Sequence, residues 1–296
     1  MTTTPLVEER ASTSVSKPVP KRRDPLRPLY WLLAIAVFVF LFAPIVVIVV
    51  YSFNDGRLLG AWRGFGFNAY HHAIHQQTIR DAVKISMLSG VCASALATVL
   101  GTIGGVALAR TRSTWALVLT GLLALTLVTP EIIDAISILP WFVTLGTDGH
   151  LVLLNNGLVR LVVVHTSVAL ATVTFMVRAR MAGMDAAIEE AASDLYATPW
   201  NRFRQVTLPM ARPSILAGAL MAFTLSLDNT VVSSFVSLPG YTSWPVYVFG
   251  SVRTGMRPDV AAVSTLLLIL TLGALALVAV VLRRGGEDNL AGALAG

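Results

Sequence analysis

The sequence predicts an all-α polytopic membrane protein with six transmembrane helices and both termini on the cytoplasmic side. Three observations carry that prediction. Of 296 residues, 55% are apolar and 13% are charged, and the mean hydropathy is +0.72, outside the usual range of soluble domains. Several apolar runs approach the roughly 20 residues that cross a hydrocarbon core as a helix, and the alternating strands of a barrel are absent. When six spans are drawn, fifteen of the 22 Lys and Arg residues fall on one side, and the positive-inside bias makes that side cytoplasmic.

Residues 1–28 read as a basic cytoplasmic tail. The leader "MTTTPLVEERASTSVSKPVP" is rich in Ser, Thr and Pro and has no apolar period, so disorder is expected there. The transmembrane domain follows at 29–283, and a short cytoplasmic tail at 284–296. The first span runs from Tyr30 to Tyr51, too long for a signal-peptide core and without a convincing cleavage site, so it reads as a retained anchor. The second runs from Ala82 to Ala109. Gly101 and Gly105, with Ala93 and Ala97, give it a face of small residues suited to close helix contact. The third runs from Trp115 to Phe142, with Pro130 and Pro140 expected to bend or end it. Leu158 to Val177, Ile215 to Val236 and Val260 to Leu282 complete the set. Pro239 with Gly240 reads as an outer turn, Pro245 as the start of a short re-entrant helix, and Pro258 as the first position of the last helix. The one cysteine, Cys92, excludes an intramolecular disulfide.

Between the fourth and fifth spans lies "EEAASDLYATPWNRFRQVTLP", Glu189 to Pro209, inside a cytoplasmic loop at 184–209. Its pattern is helix, turn, helix. Asp185 is placed to cap a first helix from Ala186 to Leu195. Thr198 before Pro199 is a strong start signal for a second, extending to Val206. Pro209 disfavours helical geometry at Leu208. Ala191 and Ala192 permit close backbone approach, and Leu195 stands as an apolar tooth beside Glu190 and Asp194. Two readings fit these residues: a docking surface for another protein, or an amphipathic helix lying on lipid headgroups.

Carboxylates inside spans are costly, at least about 2.5–3.5 kcal/mol on insertion scales, so Glu131, Asp134 and Asp228 are expected to face a partner, the bundle interior or water. Asp228 precedes Asn229, Thr230, Ser233, Ser234 and Ser237, of which 230, 233, 234 and 237 would share one face of a continuous helix. That stripe suits a solvated pathway containing Asp228, Asn229 and Ser233. The competing reading is an ion pair of Asp228 with Arg253 or Arg257. For Glu131 and Asp134 the pathway and ion-pair readings are equally open. His71 and His75 lie one turn apart, but no cysteine or close carboxylate completes a metal set, so no metal is expected. His165 reads as a hydrogen-bonded bundle residue and His150 as a loop residue.

The loop resembles the EAA loop of ABC-importer permeases, in which Glu-Ala-Ala is followed at set distances by a glycine and by an apolar residue before Leu-Pro. Glu190, Ala191 and Ala192 match its start, and Val206, Leu208 and Pro209 its end; Tyr196 stands at the glycine. Residues Leu225 to Thr265, and "TPEIIDAIS" from Thr129 to Ser137, are similar to spermidine/putrescine permeases, particularly the C-type subunit. Family members more often carry a second acid beside the Asp228 position, where this chain has Asn229.

The resemblance implies a multi-pass permease subunit in the bacterial inner membrane, forming half of a polyamine pathway. Other small organic solutes or a ferric complex are the alternative cargo. Its implied partners are a second homologous permease subunit, two ATP-binding cassette ATPase subunits that use ATP-Mg, an external substrate-binding protein and the lipid bilayer, with no nucleic acid. The coupling helix implied to enter a groove on the ATPase comprises Glu190, Ala191, Ala192, Asp194, Leu195 and Tyr196. A tyrosine taking the glycine's positive φ would carry about 1–2 kcal/mol of strain. Either the turn after Leu195 is built differently, or the ring recovers the strain by packing against the ATPase.

The chain itself has no G-x-x-x-x-G-K-[ST] phosphate loop, since none of Lys17, Lys21 and Lys84 follows a glycine, and it has no H-E-x-x-H or G-x-S-x-G. It is therefore expected to be non-catalytic and to bind no cofactor directly. An ion-coupled secondary transporter is the reading from a different class. That reading calls for internal inverted repeats, and no convincing repeat is visible.

Overall fold

The computed structural model describes residues 26–294; residues 1–25, most of the expected disordered tail, lie outside the described residues. Among the described residues helices dominate, and the single β-bridge, Asn54 to Phe65, is isolated. In a medium without water, a helix satisfies its own backbone donors and acceptors, which is why a chain this apolar folds this way. In order, the helices are α1 (Arg27–Tyr51), α2 (Asn68–His75), α3 (Gln77–Arg110), α4 (Thr114–Val128), α5 (Glu131–Val143), α6 (Gly157–Ala182), α7 (Ala187–Asp194), α8 (Pro199–Arg202), α9 (Leu208–Asp228), α10 (Val231–Val236), α11 (Trp244–Thr254) and α12 (Pro258–Leu294). Five are long and apolar enough to cross a membrane, and a sixth crossing appears if the bent pair α4 and α5 counts as one.

One compact unit ends at Val46 and a second begins at Val47. The first is the apolar run of α1, with Phe38 and Phe42 stacked at 6.0 Å. In the second, α3, α6 and α9 pack around Ala97, Ala169, Val173, Val177, Met181, Ala211 and Ala222. Small residues set how closely α3 and α6 approach. A Cβ at Gly101 would stand 2.8 Å from Val173, and one at Gly105 would stand 2.8 Å from the Thr174 carbonyl, closer than carbon atoms pack. The stripe expected from sequence is therefore a close helix contact.

A second cluster joins α2, α3, α11 and α12 through Ala73, Ile79, Ala82, Trp244, Val260 and Val263. Within it the Trp244 amide donates to buried Ser86 Oγ at 2.6 Å. A third joins α5, α6 and α10 through Ala135, Phe142, Leu161, Val164, Val232 and Val236. Beside it, buried Arg160 donates to the Leu154 carbonyl and lies over the Phe142 ring at 5.5 Å.

The bend expected at Pro130 is found, and three other elements depart from the sequence reading. The third span turns through 109° between α4 and α5, because Thr129 before Pro130 is held extended (ψ 130°). Glu131 and Asp134 thus lie in the first turn of a new helix, where the amide end favours negative charge. The fifth span stops at Asp228 and resumes at Val231, so the serine stripe is not on one continuous helix. Leu208 is helical (φ −65°, ψ −46°) despite Pro209: its N–H reaches back five residues to the Phe203 carbonyl in a π turn over Phe203–Thr207, and the wider turn accommodates the proline. The helical run therefore continues from Pro199 to Asp228. Finally, α12 runs to Leu294, past the tail expected from 284; once started, a helix extends at one backbone bond per residue.

Candidate functional site

Two groups of sequence-predicted residues are assembled by different means. The first is the 184–209 loop. Asp185 Oδ1 accepts from the Ala187 amide at 2.9 Å, opening α7. Thr198 accepts from the Asn201 amide at 3.3 Å, opening α8 with Pro199 at its start. Between them the chain leaves α7 through Tyr196 at φ +59°. The Tyr196 amide donates to the Ser193 carbonyl at 2.9 Å and the Ala197 amide to the Ala192 carbonyl at 3.1 Å. These are the two bonds of a Schellman motif with a tyrosine in the left-handed position. Of the two alternatives posed by Tyr196, the differently built turn is therefore excluded: the glycine geometry is kept.

The Tyr196 ring is 95% exposed and Leu195 is 82% exposed, while Glu190, Ala191 and Asp194 are also exposed and Ala192 is half-buried. Sequence reasoning passed over Glu189 as a site residue. It faces inward, standing 3.0 Å from Arg110 as an ion pair, off the line of a hydrogen bond, and it accepts from Thr207 Oγ1 at 2.8 Å. Adjacent acids on a helix point to different faces, so Glu189 fastens the loop to the end of α3 while Glu190 is left outside. Arg202 Nη1 donates to Ser193 Oγ at 2.6 Å and ties α8 to α7.

The second group surrounds the break between α9 and α10. Asp228, exposed at the carbonyl end of α9, lines a pocket of about 330 Å³ with Ser86, Thr224, Trp244, Ser264 and Thr271. The negative end of the helix dipole reinforces its charge. Arg257 pairs with Asp259 at 3.4 Å. Asn229 and Ser233 are committed to structure. Asn229 is 5% exposed, and its Oδ1 accepts from the Val232 amide at 3.0 Å, capping α10. Ser233 is wholly buried and meets His165 Nε2 at 2.9 Å, while His165 Nδ1 meets Ser226 Oγ at 2.6 Å. His165 is thus a hydrogen-bonded bundle residue. Its bridging of two helices depends on the break, which no local pattern announces.

Asp134 lines a different pocket, of about 270 Å³, with Thr126, Ser137, Trp141 and Ser167, and Glu131 is exposed at the α5 start. The three acids are therefore not gathered at one point. His71 and His75 stack at 4.1 Å, with His75 Nδ1 at 2.8 Å from the His71 carbonyl. Among the described residues no group of three or more His, Cys, Asp or Glu side chains is placed to hold a metal.

Residues 97–285 match the model of the binding-protein-dependent transport system inner membrane component family. The putrescine transport system permease protein PotI of Escherichia coli is 38% identical over 84% of this chain and 88% of that protein. The spermidine/putrescine transport system permease protein PotC of Haemophilus influenzae is 34% identical over 85% and 95%. A putative 2-aminoethylphosphonate transport system permease protein of Salmonella typhimurium is 28% identical over 81% and 88%. Among solved structures, a bacterial alginate ABC transporter in complex with an alginate-bound periplasmic protein aligns with TM-score 0.64 at 14% identity, over 88% of this chain and 95% of that one. At that identity the likeness shows the fold.

Proposed function

The chain belongs to the family of binding-protein-dependent transport system inner membrane components, and from that premise we propose that it is a permease subunit of an ATP-driven importer, forming half of a pathway for polyamines. It is a multi-span inner-membrane protein with both termini in the cytoplasm. An external binding protein delivers the cargo, a second permease subunit completes the pathway, and two cytoplasmic ATPase subunits bind and hydrolyse ATP-Mg. The chain itself carries out no catalysis. ATP binding closes the ATPases, α7 passes that motion to the bundle, and the pocket at Asp228 changes the side to which it opens. Family membership favours this reading over an ion-coupled secondary transporter.

The observation that carries the cargo assignment is the Asp228 pocket. Polyamine amines have lysine-like pKa values near 10 and are cationic at neutral pH. A carboxylate at the carbonyl end of a helix attracts them, hydroxyls accept from their ammonium protons, and the Trp244 ring adds cation–π attraction. The pocket is lined by no Lys or Arg, which disfavours a phosphonate. Asp134 in its own pocket is a second candidate along the path, and Glu131, in the same first turn of α5, is a third.

Two measurements test the reading. Binding of spermidine or putrescine by the cognate external protein is expected, and the absence of both rejects the polyamine assignment. Asp228→Ala is expected to lower uptake at least tenfold while ATPase co-purification is retained; normal uptake removes Asp228 from the pathway.

A further inference from the structure

A buried three-residue bridge crosses the break in the fifth span. His165 of α6 is 2% exposed, with Nδ1 at 2.6 Å from Ser226 Oγ in the last turns of α9 and Nε2 at 2.9 Å from Ser233 Oγ in α10. Both ring nitrogens are used. A neutral imidazole has one donor and one acceptor, and a serine hydroxyl serves either role, so the bridge is complete in both tautomers.

The spacing of the serines makes this bridge sensitive to conformation. Ser226 and Ser233 are seven residues apart, so in an unbroken helix both would lie on nearly the same face but about 10 Å apart along the axis. One imidazole making bonds of 2.6 and 2.9 Å cannot span that distance. Both bonds form only when the chain breaks between the two serines, as it does at Asn229 (φ −68°, ψ 92°). On straightening, one hydroxyl must leave His165 and fall back on a carbonyl of its own helix, as Ser237 Oγ does with the Ser233 carbonyl at 2.6 Å.

We propose that His165 is a positioning residue: by bridging Ser226 and Ser233 it holds the fifth span in its broken form and keeps Asp228 at the free carbonyl end of α9, at the pocket. Its effect on transport rests on the reading of Asp228 as a pathway group; its effect on the shape of the span does not. Losing one of the two bonds shifts the balance between broken and straight forms about five- to tenfold.

The test uses the assembled transporter with spin labels at Met221 and Phe235, exposed positions on either side of the break, in a Cys92→Ser background. With His165 intact a single distance is expected, shorter than the about 21 Å of fourteen unbroken helical residues. His165→Ala is expected to add a population near that longer distance, and Ser226→Ala or Ser233→Ala, milder changes that each remove one end of the bridge, to add a smaller one. His165→Gln, which keeps a donor and an acceptor, is expected to restore part of the short distance. A distribution unchanged in His165→Ala and in both serine variants overturns the proposal. A shifted distribution with uptake intact overturns the positioning of Asp228 for transport and leaves the bridge. If Asp228→Ala transports normally while His165→Ala still shifts the distance, the pathway reading fails and the bridge stands.

Discussion

The turn at Tyr196 and the break at Asp228 and Asn229 both interrupt a helical stretch beside residues singled out from sequence, and they are built in opposite ways. At Tyr196 the chain closes α7 with two backbone bonds and leaves the side chain 95% exposed. At Asn229 the side chain itself supplies the missing acceptor, to the Val232 amide, and is 5% exposed. The difference follows from what surrounds the backbone. Outside a membrane, water satisfies groups a turn leaves over, so the residues there are free to face a partner. Inside a bundle every orphan group needs a side chain, so residues beside the break serve the break first. Of Asp228, Asn229 and Ser233, only Asp228 remains exposed.

That contrast can be broken by experiment. The largest expected effect is at the loop: Glu190→Lys reverses an exposed charge on α7 and is expected to abolish co-purification of the ATPase while the melting temperature of the bundle stays unchanged. Recovery of the complete complex would count against the docking surface. Next comes the buried side. Asn229→Leu leaves the Val232 amide unpaired and is expected to cost about 1–3 kcal/mol of stability, read as a lowered melting temperature with ATPase docking intact. Tyr196→Gly relieves left-handed strain and is expected to stabilise the loop by about 1 kcal/mol, seen as slower amide exchange at Tyr196 and Ala197. If the ring packs against the ATPase, the same variant weakens the complex several-fold; unaltered affinity would mean that the ring has no partner there. The smallest effect belongs to Thr198→Ala, which removes an exposed cap worth about 0.5–1 kcal/mol and is expected to speed exchange at Asn201 alone.

Much of the loop was legible residue by residue, because caps and turns are local events. Asp185, Thr198 and Pro199 take the positions their chemistry suggests, and Tyr196 keeps the geometry that a glycine usually provides. Glu189 was not legible as distinct from Glu190, since which of two adjacent acids turns inward depends on where Arg110 and Thr207 arrive from other helices. The fifth span was misread for a related reason. Hydropathy is blind to a change of direction, so a gap at Asn229 leaves an apolar run looking continuous, whereas Pro130 marked the 109° turn of the third span.

The sequence by itself determined the class of protein, the helical character of its spans, the small-residue face of α3 and the grammar of the loop, because each depends on composition or on residues within one or two turns of each other. Only the tertiary structure decided which pocket each acid lines, which of the acids is fastened, and that His165 joins Ser226 to Ser233 across 61 and 68 residues of chain. Those pairings depend on how helices distant in sequence pack. A helix pattern specifies the face a residue occupies, and the neighbouring helices specify what that face meets.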